Sequence, residues 1–190
     1  MTAGLILAAG ESRRMGSPKA LLRYRETTFL DALCRLLAEQ CSPVLVVLGA
    51  SADEIRARSS GPATFVVNAD YRSGMTTSMQ CGLRAVPPDA DGVLFTLVDH
   101  PAVSPQTIAS LLSAPFPLLR VPRYQGRRGH PIRFSRELIP EFLALGNDGA
   151  ASDVVRRHRD GTEFLDLDDP GIVADIDDPA AYRALTGADA

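Results

Sequence analysis

From Ala3 to Leu112 the sequence alternates short uncharged runs with segments that carry helix-start signals, and that alternation leaves few folds open. Ala3 to Ala8 is apolar with a glycine soon after, the pattern of a buried parallel strand. Thr28 opens a helix, with Asp31 three residues on and Leu30, Leu33, Leu36 and Leu37 along one face. Val44 to Leu48 reads as a second buried strand, Ser51 with Glu54 as a capping box for a short helix, and Thr64 to Val67 as a third strand. Met75 to Ala85 is expected to be helical and Val93 to Val98 to be a fourth, charge-free strand. Ser104 followed by Pro105 starts another helix, because proline suits the first helical position. Strands and helices in this order build βαβ units around a parallel sheet.

The second half is less regular. Leu118 to Arg123 and Pro131 to Phe134 read as strands flanking a Gly/Arg-rich loop, Ser135 caps a helix, and another helix spans about Ala150 to Arg159. Ile172 to Asp177 reads as a late short strand, and Asp178-Pro179 opens the final helix. No repeat, low-complexity tract or linker interrupts the 190 residues. The expected fold class is therefore α/β: one Rossmann-like three-layer domain over residues 1–190 with a mostly parallel central sheet.

In an open α/β sheet, ligands collect at the carboxyl ends of the strands. Here the first strand runs into Leu7-Ala8-Ala9-Gly10-Glu11-Ser12-Arg13-Arg14-Met15-Gly16-Ser17-Pro18-Lys19. Two glycines let the backbone approach phosphate oxygens, and Arg13 and Lys19 add charge that can neutralise a triphosphate and a departing pyrophosphate. Lys19 is the one lysine among twenty basic residues, and an ammonium is a compact point charge where guanidinium is a wide fork. A Walker A loop does not fit, since five residues separate the glycines and Lys19 follows Ser-Pro; the G-x-G-x-x-G dinucleotide pattern is also missing. This loop, L-A-A-G-x-S-x-R-M-G-x-P-K, resembles the opening motif of the MobA-like nucleotidyltransferases, especially their molybdenum cofactor cytidylyltransferase branch.

Further segments match that family in order and spacing. Asp99, in Leu97-Val98-Asp99-His100-Pro101, ends the charge-free fourth strand and offers a hard oxygen donor suited to Mg²⁺. By resemblance to the family's L-x-D-x-P it is a metal ligand. His100 is set aside, because Mg²⁺ disfavours imidazole and adjacent strand residues point to opposite sides; a turn role is expected. Asp175-Ile176-Asp177-Asp178-Pro179 resembles the family's D-I-D-T-P, which makes Asp177 the second metal ligand and leaves Asp178 as a helix cap. In an extended segment, Asp175 would face the same side as Asp177. Asn68, Gly74 and Ser78 resemble the family's N-x-x-x-x-x-G-x-x-x-S, which approaches base and ribose; the same residues would also suit plain helix capping. Gly126-Arg127-Arg128-Gly129-His130-Pro131 resembles a G-x-x-G-H-P loop bordering the acceptor pocket, so Arg128, Gly129 and His130 are acceptor candidates, although a solvated hairpin would read alike. Asn147-Asp148-Gly149-Ala150-Ala151 matches the family's G-D-x-G-A-R only in part, with Ser152 where arginine is usual.

The resemblance implies a Mg²⁺-dependent nucleotidyltransferase. Leu7, Ala8, Ala9, Gly10, Arg13, Lys19, Asn68, Gly74 and Ser78 would bind the nucleotide. Arg13, Lys19 and Asp99 would carry catalysis, with the cation on Asp99 and Asp177. Ala9 stands where guanylyltransferases carry glycine; its methyl leaves less room for a purine, which favours CTP. The implied acceptor is phosphorylated molybdopterin carrying molybdenum, with a molybdoenzyme as a possible partner. A sugar-1-phosphate transferase and a non-catalytic cofactor-delivery protein are the alternatives. The net charge of −3 supplies no global basic field for nucleic acid. No apolar run approaches the ~20 residues of a membrane span. Three cysteines without C-x-x-C spacing read as reduced thiols of a cytoplasmic protein.

Overall fold

The computed structural model describes residues 1–146 and 149–187. In chain order the strands are β1 (Thr2–Ala8), β2 (Arg23–Tyr24), β3 (Thr27–Thr28), β4 (Val44–Leu48), β5 (Thr64–Val67), β6 (Gly92–Leu97), β7 (Leu119–Tyr124), β8 (Arg127–Arg128), β9 (Ile132–Ser135) and β10 (Thr162–Asp166). The α-helices are α1 (Phe29–Ala38), α2 (Ala52–Arg58), α3 (Met75–Arg84), α4 (Pro105–Leu111), α5 (Ile139–Leu143), α6 (Ala151–Arg157) and α7 (Pro179–Thr186).

The main sheet has the order β10-β7-β9-β6-β1-β4-β5, with β8 paired to β7. All its ladders are parallel except those of β9, which runs antiparallel to β6 and β7, and the β7–β8 hairpin. β1 lies inside the sheet between β6 and β4 and is buried along its whole length, which is why it reads as a continuous apolar run. Its side chains alternate between two cores. Ile6 and Ala8 pack toward Leu30, Leu33 and Leu37 of α1 and Ile108 of α4. Leu5 and Leu7 pack toward Met79 and Leu83 of α3 and Phe142 of α5. Helices therefore cover both faces, giving the three layers that the alternation predicts. Each fully buried leucine in these cores contributes roughly 1.5–3 kcal/mol.

Local signals explain most boundaries. Thr28 caps α1 by accepting the Asp31 N–H at 3.1 Å, and Asp178 caps α7 by accepting from Ala181 at 2.9 Å. Ser104 caps α4 in the same way, with Pro105 at its first position. Two expectations are corrected. Ser51 makes no side-chain cap to α2; its φ of 53° turns it away from the first turn. Residues 172–177 form no strand: Pro170–Val173 is a 3-10 turn, held by Asp169, which accepts from Gly171 N–H at 2.9 Å and from Ser104 N–H at 2.9 Å. The sheet edge is instead filled by β10, whose alternating exposure and acidic residues hide it among the charged C-terminal segments.

Candidate active site

The carboxyl ends of β1 and β6 are tied together, with Val98 N–H donating to Leu7 C=O at 3.0 Å. Just beyond them lies a cavity of about 330 Å³. Leu7 to Gly10, Ser12 to Arg14 and Pro18 to Ala20 form one wall; Tyr71, Gly74, Met75 and Ser78 form another; Leu97 to Asp99 and Asp177 form its acidic end. The first loop is folded on itself. Ser12 Oγ accepts the Lys19 N–H at 3.0 Å, and the buried Met15 anchors the tip. This places the Lys19 side chain, only 13% exposed, against the acidic end.

There Lys19 Nζ lies 3.5 Å from Asp99 Oδ2 and also pairs with Asp177 Oδ1. Arg14 reaches the other Asp177 oxygen at 2.6 Å. Asp175 completes the group: one carboxylate oxygen each from Asp99, Asp175 and Asp177 lie within 4.8 Å of one another. The ionisations differ with surroundings. Burial raises Asp99, but the hydrogen bond and charge of His100, with the charge of Lys19, outweigh it and leave this carboxyl below its ordinary value. The Lys19 hydrogen bond, then that of Arg14, holds Asp177 down. Among the described residues Asp175 has no such hydrogen-bond partner; burial and the charges of Asp99 and Asp177 push it up. Lys19 acts on all three carboxylates and Arg14 on Asp177. The all-oxygen donor set fits a hard divalent cation.

Sequence reasoning singles out Arg13, which lines the cavity but has an 83% exposed side chain and pairs with Glu11. Arg14 is the residue on Asp177, and it stands directly before Met15, where the family motif has its arginine. His100 is also more than a turn residue: its Nδ1 lies 2.9 Å from Asp99 Oδ1. β6 ends at Leu97, so strand alternation does not govern residues 99 and 100. Asp175 keeps the side expected of it without a strand, because the Ile176 N–H bonds to Asp99 C=O at 3.0 Å and the Ile176 side chain is buried.

Gly74 and Ser78 line the cavity, whereas Asn68 does not. Asn68 is buried behind it and donates to Thr77 Oγ1 and Ser78 Oγ, both at 3.0 Å, so it fixes the start of α3. Arg128, Gly129 and His130 also lie off the cavity lining. Arg128 is exposed and its guanidinium sits over the Phe164 ring at 5.1 Å. Gly129 is packed on the backbone of Ile172, and the His130 N–H donates to Ile172 C=O at 2.9 Å. This loop buttresses the turn that delivers Asp175 and Asp177. Asn147 and Asp148, the core of the partial G-D-x-G-A-R match, lie outside the described residues.

Residues 4–162 match the profile described as the MobA-like NTP transferase domain. The chain belongs to this nucleotidyltransferase family. It is similar to the nicotine blue oxidoreductase of Paenarthrobacter nicotinovorans, 35% identical over 196 residues, covering 96% of this chain and 95% of that protein. It is also similar to the molybdenum cofactor cytidylyltransferase of Escherichia coli (strain K12), 26% identical over 178 residues, with 92% and 90% covered. Among solved structures, Rv0371c from Mycobacterium tuberculosis H37Rv matches with a TM-score of 0.87 at 32% identity over 98% of both chains. The same protein in complex with manganese matches with a TM-score of 0.80 at 29% identity, again over 98% of both. Among the described residues, no helix is long and apolar enough to cross a membrane.

Proposed function

We propose that this chain, acting as one unit over residues 1–190, transfers a nucleoside monophosphate from a nucleoside triphosphate, CTP by preference, onto a phosphorylated acceptor. The observation that carries this reading is the meeting of Asp99, Asp175 and Asp177 around Lys19 and Arg14 at the end of a cavity walled by the first loop. In the reaction, an oxygen of the acceptor's phosphate attacks the α-phosphorus. The α–β bridging bond breaks and its electron pair leaves with pyrophosphate. No protein nucleophile is required, since positioning and charge neutralisation do the work.

Asp99 and Asp177 would hold the Mg²⁺ of this reading, which would supply charge neutralisation for the triphosphate. The relative solved in complex with manganese supports a divalent ion in this reading. Lys19 and Arg14, with Arg13 at the mouth, balance the charge that moves onto pyrophosphate. The walls from Leu7 to Gly10 and from Gly74 to Ser78 hold the nucleoside, and Ala9 disfavours a purine. The acceptor suggested by the cytidylyltransferase relative is molybdenum cofactor, with a molybdoenzyme as recipient in the cytoplasm. Incubation with each NTP, Mg²⁺ and candidate acceptors, with pyrophosphate measured, tests the reading. CTP with molybdopterin carrying molybdenum is expected to release most; no release above the protein-free control with any pair would refute it.

The relative named an oxidoreductase favours a second reading, reduction of a small molecule in the same cavity. Consumption of a nicotinamide reductant without pyrophosphate release would select it.

A further inference from the structure

His100 is 6% exposed and sits between the acidic end of the cavity and a second histidine. Its Nδ1 lies 2.9 Å from Asp99 Oδ1, and because an ionised carboxylate only accepts, Nδ1 carries the proton. The other face of the ring is packed edge-on against His130, with centroids 5.0 Å apart. His130 is itself lodged against Phe95 of β6 at 5.7 Å. Burial, then the neighbouring His100, pushes His130 down to about 4, so it stands there as a neutral ring. Among the described residues its Nδ1 is buried without a hydrogen-bond partner, a cost that the packing around the ring has to offset. The loop that carries it is closed over by the 3-10 turn, through His130 N–H to Ile172 C=O. The Asp99 carboxylate is thereby fixed by one oxygen, while Oδ2 remains toward Lys19.

We propose that His100 is a positioning residue, which Phe95 and His130 hold in place so that its Nδ1–H fixes the rotamer of the Asp99 carboxylate for the divalent cation. This rests on the metal-dependent transferase reading above. Outer partners that orient a metal-binding carboxylate typically change affinity about 10–100-fold when removed.

The test uses the full chain and Mn²⁺ alone, with free Mn²⁺ followed by electron paramagnetic resonance. His100→Leu is expected to weaken Mn²⁺ binding about 10–100-fold, and His100→Asn, whose Nδ2–H takes the place of the imidazole Nδ1–H, to recover most of it. Wild-type affinity in His100→Leu, or no recovery in His100→Asn, would overturn the proposal. Independently of any variant, ¹H–¹⁵N correlation through the imidazole ring should find Nδ1 of His100 protonated; an Nε2–H tautomer would also overturn it. If the unsubstituted chain binds no Mn²⁺, the transferase reading and this proposal fall together. If it binds Mn²⁺ and releases pyrophosphate while His100→Leu does the same, only the positioning role falls.

Discussion

The backbone N–H of Ile176 donates to the backbone carbonyl of Asp99 at 3.0 Å, and this one bond brings two distant acidic segments to the same place. Asp99 lies two residues past the end of β6 at Leu97, and Asp175 and Asp177 flank the buried Ile176 on the segment laid across it. The charges collect there against their mutual repulsion because backbone and apolar contacts, not ion pairs alone, hold the segment down.

Asp99→Asn keeps nearly the same volume and can still bond to His100, but it removes the charge. Pyrophosphate release is expected to fall on the order of 10²–10³ in rate, as for loss of one preorganised charge contact. The thermal midpoint should stay near that of the parent. Near-normal turnover would remove Asp99 from the mechanism.

Gly129 is expected to matter through packing. A Cβ built there would lie 2.2 Å from Ile172 O and 2.7 Å from Ile172 C, both backbone atoms that have no rotamer to escape into. Gly129→Ala should therefore cost about 1–3 kcal/mol in chemical denaturation and weaken divalent-ion binding by moving Asp175 and Asp177. Gly161→Ala, where an added Cβ meets nothing within 4 Å, is the control and should stay within about 0.5 kcal/mol. Equal stability of the two variants would show that the turn at Pro170–Val173 yields freely.

Much of this was legible from residue order, because βαβ spacing and a glycine-bearing loop after a buried strand are local signals. β1, β4, β5 and the caps at Thr28, Ser104 and Asp178 needed nothing more. What stayed hidden depends on tertiary contact. His100 reads as pointing away from Asp99 only if the strand continues, and β6 stops at Leu97. Arg13 and Arg14 are basic neighbours in one loop; the motif's R-M-G falls on Arg14, and the folded loop turns that residue onto Asp177. β10 carries acidic residues at a sheet edge, so its pattern looks solvated, while Ile172 to Asp177 has strand-like alternation but is bent by Pro170-Gly171. Asn68 looks like a ligand contact by motif and is a buried support for Ser78 by geometry.

The thiols should sort by depth. Burial, then nearby Asp31, pushes Cys34 up to about 12, and burial, then Asp91, does the same for Cys41. Cys81, on the partly exposed side of α3, is raised less by its burial and is opposed by the Arg84 charge. Brief iodoacetamide treatment of the folded chain at pH 8 should label Cys81 first and leave the other two until denaturant is added, because the thiolate is the reactive form. Mass spectrometry of the peptides reads this; prompt labelling of Cys34 would contradict its place in the α1 core.

Asp175 should reveal the cost of keeping a carboxylate ready for a cation. Burial and the charges of Asp99 and Asp177 raise it above its ordinary value, so when ionised it destabilises the metal-free fold. For a group raised in the folded state, that penalty is complete above the folded value and vanishes below the unfolded one. Asp175→Asn is thus expected to raise the thermal midpoint of EDTA-treated protein at pH 7, with the gain shrinking as pH falls toward about 4. Added Mn²⁺ should reverse the order at pH 7, since the parent then recovers by binding what the variant binds less well. A variant no more stable than the parent in EDTA at pH 7 would mean that solvent screens Asp175 from its two neighbours.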